Sequence, residues 1–273
     1  MGREARTIIA LPGRTRGVAR MARAAVLLSA CFSALAGCRS SCLSAIAPGP
    51  FSRFDDAGLA QADLERAWDE WAVRNLETGD IVFRMGVSRV MLGLFDVSKF
   101  SSELADSDYS HAGLVVFEEG RPWVYDACRG HDVRRMPFSE FLMEYELAFG
   151  VKRLKPEYRV HIPGAVAYCR HVHELRVPFD EDFRLENGRL YCMELIEGAY
   201  RSSGLALSAP VRIDQFPNYH EHPTMIRLLT MYSSLTPDQR VLIPGNESIG
   251  MWASEKLELV YTAADPLSRP PIE

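Results

Sequence analysis

Three side chains of this sequence are of the types that build a nucleophilic hydrolase: Cys192, His111 and Asp126. A thiolate attacks a carbonyl, an imidazole takes and returns the proton, and a carboxylate orients the imidazole. Their local context makes them candidates. Tyr109-Ser110-His111-Ala112-Gly113-Leu114-Val115-Val116-Phe117 and Trp123-Val124-Tyr125-Asp126-Ala127 are rich in aromatic and β-branched residues, with the polar connector Glu118-Glu119-Gly120-Arg121-Pro122 between them. This is the pattern of a β-hairpin. Neighbours two apart in a strand share a face, so the hairpin can hold His111, at the start of one strand, close to Asp126, near the end of the other. Asn187-Gly188 is a turn signal, and Cys192, Leu195, Ile196, Ala199 and Ser203 follow it at helical spacing. Cys192 is therefore predicted in the first turn of a helix. Unsatisfied N–H groups and the helix dipole there favour a thiolate, and can bring a thiol that ordinarily titrates near ~8.5 well below neutrality. With His111 as imidazolium beside it, Cys192 is expected to be the most reactive cysteine of the chain. Each residue also has a plainer reading: a small core cysteine, a histidine entering a buried strand, a turn-capping aspartate.

The chain that must position these groups has 273 residues, 47% of them apolar, enough for one well-buried domain. No repeat period, C-x-x-C pair or Gly-rich phosphate loop is present. His171 and His173 would point to different sides of a helix. His220 and His222 could share a strand face but lack a third ligand nearby, so neither a metal nor a cofactor is expected. In order, the patterns predict an amphipathic helix around Leu64–Ala72 and a short buried strand at Ile81–Arg84. A short helix through Val90, Met91, Leu94 and Phe95 follows, in a long connection that is either a lid or a plain surface insertion. After the hairpin come a strand at Asp132–Met136, a short helix at Phe138–Glu144 and a strand at Phe149–Leu154. The last elements are helices at Pro163–Leu175 and Pro223–Leu235 and a strand at Leu257–Tyr261. The order is that of an α+β fold, a small antiparallel sheet with helices packed on one side.

The first residues differ in kind. An apolar run from Ala24 to Ala36, behind Arg14, Arg16, Arg20 and Arg23, is too short to span a bilayer comfortably but suits a secretory h-region. It ends in Leu35-Ala36-Gly37-Cys38, which resembles the lipobox of bacterial lipoproteins, whose cysteine is lipidated and becomes the first mature residue. The alternative is ordinary signal cleavage after Ala36. The expected organisation is a signal peptide at 1–37, a tether at 38–54, a catalytic domain at 55–264 and a frayed tail at 265–273. Residues 1–37 carry six Arg and one Glu, so their removal takes the 31 basic and 36 acidic residues to 25 and 35, a net charge of −10. Such a surface does not suit nucleic acid. Cys38, Cys42, Cys128, Cys169 and Cys192 remain, and Cys128 with Cys169 is one conceivable disulfide.

Gly79-Asp80-Ile81-Val82-Phe83, followed by Ser110-His111-Ala112-Gly113-Leu114-Val115, resembles the paired motif of NlpC-type cell-wall cysteine peptidases. In those enzymes the cysteine helix precedes the sheet; here Tyr191-Cys192-Met193-Glu194-Leu195 follows it. That order is similar to the circularly permuted papain-fold amidases of the YiiX/YaeF type, whose hallmark reads roughly Tyr-Cys-Ser-Glu-Leu. The resemblance covers residues 77 to about 204. It implies Cys192 as nucleophile, His111 as general base and Asp126 as the group that orients His111. Glu or His is commoner at the Asp126 position, and Met193 replaces the usual Ser. Pro178-Phe179-Asp180 resembles a Pro-Tyr-Asp segment, taken as structural.

These readings together predict a lipid-anchored thiol hydrolase of the bacterial cell envelope, facing the periplasm. It would cleave an amide bond of a small peptidoglycan-peptide or lipid-derived substrate. Two alternatives stay open. One is an acyl hydrolase or acyltransferase like the lecithin:retinol acyltransferase-like proteins, which also run His before Cys, with Val90–Phe95 lining an acyl groove. The other is a non-catalytic envelope module.

Overall fold

The strand signals resolve into one open antiparallel sheet. The structure, a computed structural model, describes residues 52–86, 89–90, 95–144, 148–232, 234–263 and 270–271. The sheet contains β1 (Ile81–Arg84), β4 (His111–Glu118), β5 (Arg121–Asp126), β6 (Arg134–Pro137), β7 (Phe149–Leu154) and β10 (Leu257–Ala263), in the spatial order β10-β7-β1-β4-β5-β6. β1 is central and buried at every position, paired with β4 through Phe83↔Ala112 and with β7 through Phe83↔Gly150. Two short pairs lie outside this sheet: β2 (Arg89–Val90) with β3 (Phe95–Asp96), and β8 (Val211–Arg212) with β9 (Arg240–Val241).

Helices cover both faces of the sheet, not one as the sequence order suggested. On one face lie α1 (Ser52–Asn75) and α3 (Phe138–Met143). Trp68, Trp71 and Ala72 of α1 recur at i, i+3 and i+4 and are buried against Val82, Val115, Val124, Phe138 and Phe149. On the other face lie α4 (Ile162–Glu174) and α5 (Cys192–Ser202), packed on Ile81, Phe83, Ala112, Leu114 and Val116. The reason is legible in β1 and β4, whose interiors are runs of apolar residues rather than alternations. Both sides of such a strand need cover. A third cluster joins α2 (Val97–Leu104) to the C-terminal segments through Phe100, Leu104, Ile213, Phe216, Ile226 and Ile243. Ile226 belongs to α6 (Pro223–Tyr232), shorter than its predicted extent.

The helix expected over Val90–Phe95 is corrected. Arg89–Val90 and Phe95–Asp96 are strands, residues 91–94 lie outside the described residues, and the helix begins at Val97. Its start is set by Asp96, whose Oδ1 accepts hydrogen bonds from the N–H groups of Ser98 (3.0 Å) and Lys99 (3.2 Å). The strand predicted from Asp132 begins at Arg134. Cys128 and Cys169 are both free thiols, so the conceivable bridge between them is absent. Among the described residues no helix is long and apolar enough to cross a membrane.

Candidate active site

β4 and β5 form the predicted hairpin, in register through Leu114↔Tyr125 and Glu118↔Arg121. Gly113 permits this close approach, since a Cβ there would lie 2.3 Å from Val124 Cγ1. His111 opens β4 and Asp126 closes β5, and His111 Nε2 lies 2.8 Å from Asp126 Oδ2. That contact places the ring proton on Nε2 and leaves Nδ1 as the acceptor. The imidazole stacks on Phe141 of α3, with ring centroids 5.7 Å apart and planes at 27°.

Cys192 is the first residue of α5, after Tyr191 in the N-cap position. Two tyrosines fix the helix. The N–H of Leu242 donates to Tyr191 Oη at 2.7 Å, and Tyr200 Oη donates to the carbonyl of Gly79, at the entry to β1, at 2.6 Å. Glu197 is buried and accepts from the N–H groups of Leu207 (3.0 Å) and Ser208 (2.9 Å), which ties the following loop to the helix. Cys192 and His111 line one cavity of ≈ 390 Å³. Phe100, Leu104, Phe183, Ile213, Phe216 and Ile243 form much of its wall.

The thiol differs from the expectation for a helix N-terminus. Cys192 is buried, and burial pushes its pKa up to about 12, although the N–H groups of Ala112 and Met193 favour the anion. Desolvation of a charge outweighs two backbone dipoles here. His111 is moved down from its usual value, first by burial; the charges of Arg84 and Arg134 act in the same direction, while Asp126 opposes them. Burial thus favours the neutral form of both groups, the thiol and the imidazole.

Four further residues meet at the site and carried no motif. Arg134, on β6, donates through Nε to Asp126 Oδ1 (2.7 Å) and through a terminal nitrogen to Oδ2 (3.0 Å). It also reaches both oxygens of Glu144, at 3.0 and 2.7 Å. Glu144 in turn accepts from the buried Arg84 at 2.5 Å. Cys128, two residues past Asp126, lines the same cavity. Strand alternation after Asp132 would have shown that one of Arg134 and Arg135 faces inward, but not which partner it met. Cys38, the lipidation candidate, lies outside the described residues.

Comparison with known proteins identifies the family of this fold. Residues 75–242 match the permuted papain-like amidase family YaeF/YiiX, C92. The chain belongs to that family. The matched span includes His111, Asp126 and Cys192. It is 25% identical over 142 residues to YiiX of Escherichia coli K12, covering 51% of this chain and 65% of that one, so it spans slightly less than two thirds of the relative. It also resembles the crystal structure of YiiX from Escherichia coli O157:H7, described as a metalloprotein, with a TM-score of 0.53 and 21% identity over 70% of this chain and 99% of that one. That likeness is one of fold: an α+β, circularly permuted papain-like architecture with an open antiparallel sheet.

In this chain one ligand atom each of His111, Asp126 and Cys128 lies within 4.8 Å of the others. The trio does not suit a cation as it stands. Both Asp126 oxygens already accept from Arg134, one of them also contacts His111, and the guanidinium brings positive charge to the spot where a cation would sit. His220 lies in a 3-10 turn and His222 just beyond it, edge-on to Phe100, so they share no strand face.

Proposed function

We propose that this chain is a thiol amidase whose substrate carries a long apolar group, and that Cys192, His111 and Asp126 do the chemistry. The observation that carries the reading is the cavity. Its wall is largely aromatic and aliphatic, with Arg84, Arg129, Ser98, Ser101 and Ser110 as further polar groups beside the thiol and imidazole. The apolar part of this wall suits an acyl chain, and its polar groups suffice for the head of such a substrate but not for the many polar groups of a peptidoglycan peptide. Family membership supports the amidase class.

In this reading Cys192 Sγ attacks the amide carbonyl as its proton passes to His111 Nδ1. The imidazolium, held against Asp126, then protonates the departing amine. The backbone N–H of Cys192, at the helix start, contributes to the oxyanion hole. The resulting thioester is hydrolysed by water with His111 as base. An acyltransferase would share the same thioester and resolve it with an alcohol or amine. The buried, protonated thiol means that proton transfer accompanies attack rather than preceding it.

The lipobox Leu35-Ala36-Gly37-Cys38 supports attachment to a membrane facing the periplasm, where apolar substrates reside. The net charge of −10 after removal of residues 1–37 argues against nucleic acid as a partner. Palmitate label should enter the full chain and be lost in Cys38→Ala; failure of the label to enter the unaltered chain would return the ordinary cleavage site after Ala36. The function itself is tested with N-acyl amides of increasing chain length beside short peptide amides. Each further buried methylene contributes about 0.8 kcal/mol, so kcat/KM should rise roughly fourfold per CH₂ until the cavity is full. Cys192→Ala and His111→Ala should abolish turnover. Cleavage of peptide amides alone would overturn the acyl reading, and binding without turnover would favour the non-catalytic module.

A further inference from the structure

We infer that Arg134 and Glu144 are positioning residues for the base: with Arg84 they hold Asp126 in a charge-balanced quartet, so that His111 waits as a neutral imidazole. The inference rests on the reading of His111 as the base, and it goes beyond that reading by assigning what sets its charge state.

The geometry begins with strand alternation on β6. Arg135 faces outward, over Trp123 at 4.0 Å and paired with Glu118, whereas Arg134 points in. Arg134 is a fork between two carboxylates. Nε and one terminal nitrogen grip Asp126, while both terminal nitrogens grip Glu144. Two-pronged pairs of this kind fix orientation as well as charge. The carboxylate plane of Asp126 is thereby set, with Oδ2 facing His111 Nε2. Glu144 carries the network on to Arg84, whose guanidinium lies 4.3 Å over the Phe141 ring on which His111 stacks.

The charges facing His111 from each packed element can be named: Arg84 from β1, Asp126 from β5, Arg134 from β6 and Glu144 just past α3. Two are positive and two negative. The thiols Cys128 and Cys192, both held protonated by burial, line the same cavity as His111. Asp126 alone, fully buried, would hold a proton on the imidazole. Arg134 takes up that charge, and Arg84 adds a second cation offset by Glu144. Asp126 therefore orients the ring and fixes its tautomer without saturating its proton-accepting nitrogen. Burial opposes the charge of Asp126, yet the His111 contact and Arg134 keep its carboxyl well below the ordinary range.

The test uses the full chain with isotope-labelled histidine, following the His111 ring signal against pH, assigned by its loss in His111→Ala. Arg134→Gln should raise the His111 midpoint by about one pH unit, because the charge of Asp126, 2.8 Å from the ring, is then no longer offset by the guanidinium. Glu144→Gln, which is isosteric and removes a negative charge, should lower it. The acid limb of kcat/KM should move with each. A purely structural role would cost activity in both variants without opposite displacements. An unmoved midpoint in Arg134→Gln, or a rise in Glu144→Gln, overturns the inference. If Arg134→Gln does not fold, Arg134→Lys keeps the charge and loses the fork, so it should hold the midpoint while lowering kcat. Glu144→Gln still decides the sign. Failure of the base reading looks different: turnover would survive His111→Ala while the midpoints still responded to Arg134 and Glu144.

Discussion

Alkylation of Cys192 in the resting protein should be slow and strongly pH-dependent, and the magnitude follows from burial. An ordinary thiol titrates near ~8.5, so at pH 7 about 3% of it is thiolate. With the pKa pushed up to about 12, the thiolate fraction of Cys192 falls to roughly one part in 10⁵, about three orders of magnitude lower. Iodoacetamide should therefore label Cys192 in the folded chain at least ~10³-fold more slowly than in urea, with a rate rising about tenfold per pH unit to beyond pH 10. Cys128, more exposed, should label first, and Cys169, fully buried and likewise pushed up to about 12, should be as protected as Cys192. His111→Ala should leave this resting profile nearly unchanged while abolishing turnover, because the neutral imidazole adds no charge to the thiol. The assay is peptide mass spectrometry of the three cysteine peptides against pH. A plateau of Cys192 labelling already reached by pH 6 would refute the reasoning, because it would require a preformed thiolate–imidazolium pair.

Two further outcomes concern stability. A raised thiol pKa means that the folded state holds its proton longer than the unfolded chain does. The contribution of Cys169 is thus complete below ~8.5 and is lost as pH rises through the folded value of about 12. A shift of about three units sets a ceiling of ~4 kcal/mol, so urea midpoints should fall between pH 8 and 11 and fall less in Cys169→Ala, measured against its own value at pH 7. Gly113→Val should lower stability by about 1–3 kcal/mol or more, since its Cβ would sit 2.3 Å from Val124 Cγ1; thermal unfolding checks it, and an unchanged Tm would mean the hairpin tolerates the side chain.

The parts of the site legible in the sequence were those with local signatures. The hairpin announced itself by two β-rich runs around a polar turn, and the cysteine helix by Asn187-Gly188 followed by a helical stripe. Order along the chain then distinguished the permuted arrangement. The remainder depended on long-range partners. Arg134 and Glu144 sit in an ordinary charged strand and at an ordinary helix end, and nothing local says that they meet over Asp126. The thiol's environment is hidden from the sequence for the same reason. A first-turn position shows backbone dipoles, whereas desolvation comes from the buried cluster that only the fold assembles around Cys192. Part of the cavity wall comes from α2 and from segments beyond Val211, which lie far from the motif along the chain.

The central claim is that Cys192 carries the acyl group of an apolar substrate. Intact mass spectrometry after acid quench, with p-nitrophenyl decanoate as an activated acyl donor, tests it most directly because acylation then outruns hydrolysis. A single decanoyl group should appear on the peptide containing Cys192, form more slowly in His111→Ala and be absent in Cys192→Ala. An adduct on another residue, or one that persists in Cys192→Ala, would contradict the account.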